Sequence, residues 1–346
     1  MSLVRAKSEV EVRTARQILA WSRDLVEPAL RSAVGGLPAA TRRIADYHFG
    51  WADEDGEPIE AYGGKALRPA ITLLAAEAVG GQAESAVPAA VAIELVHNFS
   101  LLHDDVMDAD LSRRGRATAW TVYGLGPAIL AGDALLSLAL DVLIDSEHEH
   151  CTEAARSLSA TVQELVDGQL ADAHFETVDS VAPEECEWMA RQKTGALIGC
   201  SAALGGLLGD GTPDQVARLQ TFGEDLGLAF QYVDDLLGIW GDPKVTGKPV
   251  HSDLRRRKKS LPVTTALTSA TAPGDELQQL FATEIAEADL AHAAYLVDRA
   301  GGKADAQTKA DHWLSSALSS LTAADPVAGA HTDLETLARL AAHRDH

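Results

Sequence analysis

The stretch Val87-Pro-Ala-Ala-Val-Ala-Ile-Glu-Leu-Val-His-Asn-Phe-Ser-Leu-Leu-His-Asp-Asp-Val-Met-Asp108 decides the fold class. Within it Val91, Leu95, Val96, Phe99, Leu102 and Val106 recur at three- and four-residue spacings, the period of a helix with one apolar face. Similar stripes run around 67–79, 126–144, 154–175, 187–208, 214–240, 261–270, 274–300 and 305–322. No pair of alternating strands joined by an Asn-Gly or Asp-Gly turn is visible, and alanine is abundant while β-branched runs are short. The breaks at 52–58, 145–151, 177–184, 241–253, 271–274 and 323–332 are too short for interdomain linkers, and there is no internal repeat. The pattern predicts one all-α domain over residues 1–346, a large antiparallel bundle around an apolar centre.

Composition narrows the function. Of 346 residues, 46% are hydrophobic and 23% charged, which suits a folded globular chain. Acids outnumber bases 51 to 29, a net charge of −22, so the chain repels nucleic acid and anionic membranes. An anionic substrate would then need a bridging divalent cation. Residues 1–20 lack the apolar run of a signal peptide. The longest uncharged stretches, Ala117–Gly132 and Thr194–Gly209, fall short of the roughly 20 residues of a membrane helix, so no membrane span is expected. The three cysteines, Cys151, Cys186 and Cys200, show no CxxC spacing and point to a reducing cytoplasm.

Two acidic clusters carry the chemistry. In the first, Asp104 and Asp108 lie one turn apart on one helical face, with Asp105 between them and Arg113, Arg114 and Arg116 just beyond. Carboxylates beside apolar residues repel one another unless a cation compensates, and Mg²⁺ accepts both carboxylate and phosphate oxygen. A solvated acidic helix end would look the same. The second cluster, Asp234-Asp235, follows Phe230-Gln231 on another apolar helix and precedes Lys244, Lys248, Arg255, Arg256, Arg257, Lys258 and Lys259. Two acidic helix ends, each followed by cations, suit a metal-bridged polyphosphate site.

With these motifs in order, the sequence resembles the trans-type isoprenyl diphosphate synthases, or polyprenyl synthetases, over residues 60–265. The motifs are Gly63-Gly64-Lys65-Ala66-Leu67-Arg68-Pro69, His97, Asp104–Asp108 with Arg113-Arg114-Gly115, Gly168-Gln169 with Asp172, Lys193-Thr194, Gln231 with Asp234-Asp235, Gly247-Lys248 and Lys258. The resemblance implies an isoprenoid-synthase helix bundle, a homodimer and three Mg²⁺ ions. It implies Asp104, Asp108 and Asp234 as ligands, with Asp105, Asp235 and Asp172 in supporting positions. Arg113, Lys193, Lys248 and Lys258 would bind an allylic diphosphate, and Lys65, Arg68, His97 and Arg114 would bind isopentenyl diphosphate. Gln231 and Lys193-Thr194 would stabilise the carbocation.

The second motif closely resembles that of a subset of bacterial geranylgeranyl diphosphate synthases. There Gly238 stands in place of a third aspartate, with Asp242 as a candidate substitute, and Arg257 replaces a common glycine. Small Ser100 above Phe99, without an insertion between Asp105 and Asp108, implies a C20 product, with C15 second. A terpene cyclase is disfavoured by the second diphosphate pocket, and a non-catalytic partner subunit by the two intact aspartate clusters. The group His148, His150 and Cys151 reads as a polar turn, His103 as a packing residue, and Trp51 and Trp188 as packing aromatics.

Overall fold

The computed structural model describes residues 13–59, 66–243 and 249–342. The chain runs through α1 (Ala15–Gly35), α2 (Ala39–Phe49), α3 (Leu67–Ala78) and α4 (Val87–Met107). A hairpin follows, β1 (Ser112–Arg113) and β2 (Arg116–Ala117), and then α5 (Ala119–Tyr123), α6 (Leu125–Ile144) and α7 (Cys151–Thr177). α8 (Pro183–Ala190) continues through a π-helical turn, Arg191–Gly195, into α9 (Ala196–Leu208). The remainder is α10 (Pro213–Trp240), α11 (Ser252–Arg255), α12 (Leu261–Leu267), α13 (Ala272–Phe281), α14 (Leu290–Arg299), α15 (Gly302–Ala323) and α16 (Ala328–Ala342). The all-α class expected from the periodicity is what the structure has.

α9 is the centre, packed between α3 and α10, and all of its 13 residues are buried. A helix apolar all round belongs inside a large core, which accounts for one of the long uncharged stretches. Its small residues permit close approach: a Cβ on Gly205 would lie 2.0 Å from the Thr72 carbonyl oxygen of α3. α4 packs against α6, α15 covers the outer side of α10, and α16 seals α3. α10 starts with Pro213 in its first turn and a reciprocal Thr212–Gln215 capping box, so its 28 residues begin at a fixed point.

Several sequence expectations change. The stripe read as one helix over 274–300 is two, because the acidic run 282–289 folds as a loop with one 3₁₀ turn. α1, α2 and α16 escaped the periodicity, and α16 begins inside a stretch read as a break. The hairpin was missed as well. Its turn residues Arg114 and Gly115 both have positive φ, 53° and 76°, so Arg-Gly makes the type I′ geometry usually marked by Asn-Gly. Among the described residues, two helices are long and apolar enough to cross a membrane, Ala83–Met107 and Leu125–Ile144, since each contains interior charged residues that break the uncharged stretches. The first is 67% buried as a core helix, whereas the second is only 33% buried.

Candidate active site

α4 ends in a Schellman motif. Asp108 caps the helix, Ala109 takes the left-handed conformation at φ 51°, and the Asp110 N–H donates to the Asp105 carbonyl at 2.9 Å. This termination leaves Asp104 and Asp105 on the last turn and Asp108 at the cap, with Asp104 facing Lys193 of the π-helical turn and Asp172 of α7. A π-helical turn re-aims side chains within an otherwise regular helix. Here it puts Lys193 2.6 Å from Asp172 of α7, and lets the Thr194 hydroxyl donate to Gln231 Oε1 at 2.7 Å. Gln231 Nε2 donates in turn to Asp235 Oδ1 at 2.8 Å, and Asp235 Oδ2 accepts the Leu261 N–H at 2.9 Å. One polar chain thus runs from the π-helical turn across α10 to α12.

The charges are mutually dependent. Burial, reinforced by Asp108 and Asp172 and opposed by Lys193 and Arg113, raises the Asp104 carboxyl above its ordinary value. Burial pushes Asp105 up to about 6 against the pull of Arg113, whose Nε donates to Asp105 Oδ1 at 2.6 Å. Asp172 is held low, because Lys258 and Lys193 outweigh its burial. Burial of Lys258 works against its charge, yet Asp235, Asp172, Asp253 and Asp234 together hold the ammonium well above its usual range. Asp104 on α4 thus faces Lys193, Asp234 and Asp235 on α10 face Lys258, and Asp172 of α7 interacts with both ammoniums.

The basic loop divides in a way its composition does not foretell. Arg255 pairs with Glu287 at 2.7 Å, Arg257 donates to the Phe281 carbonyl, and Lys259 donates to the Phe175 carbonyl at 2.7 Å. Lys258 faces the aspartates, and Arg256 reaches across to Asp110 with Asp108 and Asp253 nearby. Arg257 has φ 52°, which explains the usual glycine there. Arg116 likewise turns away, donating to the Tyr47 and Ala52 carbonyls at 2.9 and 3.0 Å. Arg113, expected on the allylic diphosphate, is engaged by Asp105 and sits 3.8 Å from Asp110. Lys65, Lys244 and Lys248 lie outside the described residues.

A second polar region lies on the next turns of α4. Arg68 Nη1 donates to His97 Nε2 at 3.4 Å. Burial, then Arg68, Arg114 and Arg113, keep His97 well below its usual value and therefore neutral. Two neighbours carry no motif and were missed. His48 at the end of α2 is pushed down to about 3 by burial and then by Arg114, Arg113 and Arg116. Glu94 is raised by burial against the pull of Arg68. A pocket lined by Tyr47, His48, Asp105, Arg113, Arg114 and Arg116 joins this region to the first aspartate cluster.

The donor set at the cleft is all carboxylate oxygen, and Asp105 Oδ2 is buried without a partner. Both features fit a hard divalent cation. Elsewhere, Glu149, His150 and Asp210 place their ligand atoms within 4.8 Å of one another, while Cys151 lies beside Thr152. His103 packs as expected: Nε2 is 3.0 Å from the Ile129 carbonyl oxygen, and its ring stands edge-on to Phe99. Trp51 stacks on Phe49, whereas Trp188 is 44% exposed and is a surface residue instead of a packing one.

Because Asp235 is raised from 3.8 to about 6 mainly by burial, its contribution to stability is complete below pH 3.8. It falls as pH rises and is gone above about 6. The neutral Asp235→Asn variant lacks that dependence. In metal-free buffer the melting temperature of the wild type relative to the variant should therefore drop across this window and level off above it. Parallel melting curves at every pH would contradict the electrostatic picture.

The chain matches the polyprenyl synthetase family over residues 53–297. It is 45% identical over 309 residues to the (2E,6E)-farnesyl diphosphate synthase of Mycobacterium tuberculosis, covering 88% of this chain and 86% of that one. It is 43% identical over 321 residues to the geranylgeranyl diphosphate synthase of the same organism, covering 92% and 91%. The crystal structure of a polyprenyl synthetase from Streptomyces coelicolor superposes with a TM-score of 0.90 at 43% identity, covering 94% of this chain and 99% of that one. The helix bundle is that of the isoprenoid synthase structures it superposes on. This chain belongs to the polyprenyl synthetase family and is a prenyltransferase, a short-chain prenyl diphosphate synthase.

Proposed function

We propose that the protein joins isopentenyl diphosphate head-to-tail to an allylic diphosphate, with Mg²⁺, and releases geranylgeranyl diphosphate (C20). The observation that carries this reading is the bridge from Asp104 through Lys193 and Asp172 to Lys258 and the α10 aspartates, with the small Ser100 on the Asp104 face. Asp104, Asp108 and Asp234 would hold the ions, which supply charge stabilisation to the departing diphosphate. Lys193, Lys258 and Arg113 neutralise the rest of that diphosphate, Arg113 by leaving Asp105. Gln231, with Oε1 toward Thr194 and Nε2 tied to Asp235, presents a fixed dipole to the allylic carbon as its C–O bond breaks. The isopentenyl alkene forms the new C–C bond and then loses a proton to the released diphosphate. The buried apolar wall formed by α4 and α9 excludes water, which would otherwise trap the cation as an alcohol.

Arg68, His97 and Arg114, with Lys65, form the isopentenyl diphosphate pocket in this reading. Such a pocket has no use in a cyclase that consumes one diphosphate. Arg114→Ala should raise the KM for isopentenyl diphosphate about tenfold or more, through loss of a charge-assisted contact. Binding of an allylic analogue should change little, and the reverse pattern would exchange the two pockets. The 45% identity to a farnesyl diphosphate synthase keeps C15 as the second reading. Incubating the protein with isopentenyl diphosphate and each allylic starter, with Mg²⁺ or with chelator, and sizing the products decides between them. Chelator-resistant turnover would reject the metal-dependent mechanism.

The outer faces of α6 and α7 expose Leu125, Leu130, Ile144, Val166 and Leu170. Exposed large apolar side chains on neighbouring helices suit burial against a second copy, so we propose a homodimer. The three free cysteines, two of them buried, fit a cytoplasmic enzyme. Light scattering should give about twice the 36.5 kDa chain mass, and a monomer at micromolar concentration would refute the dimer.

A further inference from the structure

α15 carries none of the sequence motifs, yet it stands behind the π-helical turn that delivers Lys193 and Thr194. We infer that Arg191 is a positioning residue: held by α10 and α15, it fixes the register of that turn and so the aim of Lys193 and Thr194.

The turn opens at Arg191, whose carbonyl accepts the Ala196 N–H five residues on, the bond that defines a π-helical bulge. Its seat is smooth. A Cβ on Gly168 of α7 would lie 2.5 Å from the Lys193 backbone nitrogen, and one on Gly227 of α10 would lie 2.5 Å from the Gly195 Cα. Neither glycine offers a side chain to stop the extra residue of the bulge from moving along the helix. A shift by one residue rotates each side chain by about 100°. That rotation would take Lys193 off Asp172 and Thr194 off Gln231.

The hold is on the other face. Glu187 and Arg191 are four residues apart and project together. They meet Asp225 and Tyr232 of α10, two turns apart, and Lys309 and Trp313 of α15, one turn apart. The Arg191 guanidinium nitrogens lie 3.4 and 3.5 Å from Asp225 Oδ1 and 3.5 Å from Glu224 Oε2, and Cζ lies 5.0 Å from the centre of the Trp313 ring. Asp225 is buried, and its Oδ2 accepts the Ser316 hydroxyl of α15 at 2.7 Å. A buried carboxylate needs its cation, so Asp225 draws Arg191 to one place. Glu187 Oε2 accepts the Tyr232 hydroxyl at 2.5 Å and Trp313 Nε1 at 3.4 Å, with Lys309 Nζ at 3.7 Å. Tyr232 in turn follows Gln231, the partner of Thr194. Arg191 therefore acts through Lys193 and Thr194, and the assignment rests on the roles given to them above.

The test is steady-state kinetics of the full-length protein with Mg²⁺, isopentenyl diphosphate and an allylic diphosphate. Arg191→Met, Asp225→Asn and the double variant are compared with Lys193→Ala. Arg191→Met should lower kcat by about tenfold to a hundredfold. The KM for isopentenyl diphosphate should stay at the wild-type value, because no residue of that pocket is on the turn. Asp225→Asn should reproduce the loss, and the double variant should be no worse than either, since all three break one contact. Melting temperatures report folding, and the double variant, which removes both charges together, carries the comparison if a lone charge unfolds a single one. Wild-type kcat in a folded Arg191→Met or double variant overturns the assignment. Losses that multiply in the double variant overturn it too, as does a KM for isopentenyl diphosphate that rises as kcat falls. Wild-type kcat in Lys193→Ala is a separate failure: it removes the role of the turn itself, and Arg191 with it.

Discussion

Asp104→Ala or Asp234→Ala should reduce kcat by about a thousandfold or more, which is about 4 kcal/mol of lost leaving-group stabilisation. Asp104→Ala should not melt below the wild type in metal-free buffer. Asp104 is a carboxylate that the fold resists ionising: burial, Asp108 and Asp172 all raise it, and Lys193 and Arg113 only partly compensate. Removing it relieves repulsion in the metal-free protein, so loss of activity and loss of stability should separate, as at other sites where function is kept against stability. Steady-state kinetics over a Mg²⁺ range, with a thermal melt of each variant, provides the comparison. Near wild-type turnover in either folded variant would reject the ligand assignment. A large fall in melting temperature would instead make these acids structural.

What was legible in the sequence follows from which interactions are local. The helix period of α4 and the four-residue spacing of Asp104 and Asp108 are local, and both survive into the structure with Asp108 at the cap. The chain from Thr194 through Gln231 to Asp235 was legible only as separate motifs, because its first link spans 37 residues of sequence. The basic loop misled most. Seven like charges after an acidic helix end suggest a phosphate cradle, yet Arg255, Arg257 and Lys259 are tied to Glu287, Phe281 and Phe175. Charge sign is visible in a sequence; direction is set by tertiary packing. His48 and Glu94 were silent for a related reason, since burial near several arginines, not residue type, makes them unusual.

Product length should respond to α4 on the turn before Asp104. Ser100 precedes Asp104 by one helical turn, about 6.0 Å deeper at 1.5 Å per residue, and shares its face. Its hydroxyl donates to the His97 carbonyl at 2.9 Å, so it adds little bulk to the cleft. Phe99 shares the face of His103 instead, 7% exposed, with ring centroids 4.7 Å apart. His103 is itself pinned, since a Cβ on Gly132 of α6 would lie 2.4 Å from its ring. The Phe99 ring therefore packs against His103 at the seam of α4 and α6. Ser100→Phe should shorten the main product to C15 or less, because it puts a ring directly below the metal-binding face. Phe99→Ala should lengthen it beyond C20, while costing about 3 kcal/mol of stability from the cavity it leaves. Chromatography of the dephosphorylated products reads both effects. Their asymmetry is informative: Ser100→Phe acts by filling the Asp104 face, and Phe99→Ala acts only if the seam with α6 is part of the floor. Shortening in the first variant with no lengthening in the second would move the floor to another helix while keeping the growing chain on the Asp104 face. Unchanged products in both active variants would take it off α4 altogether.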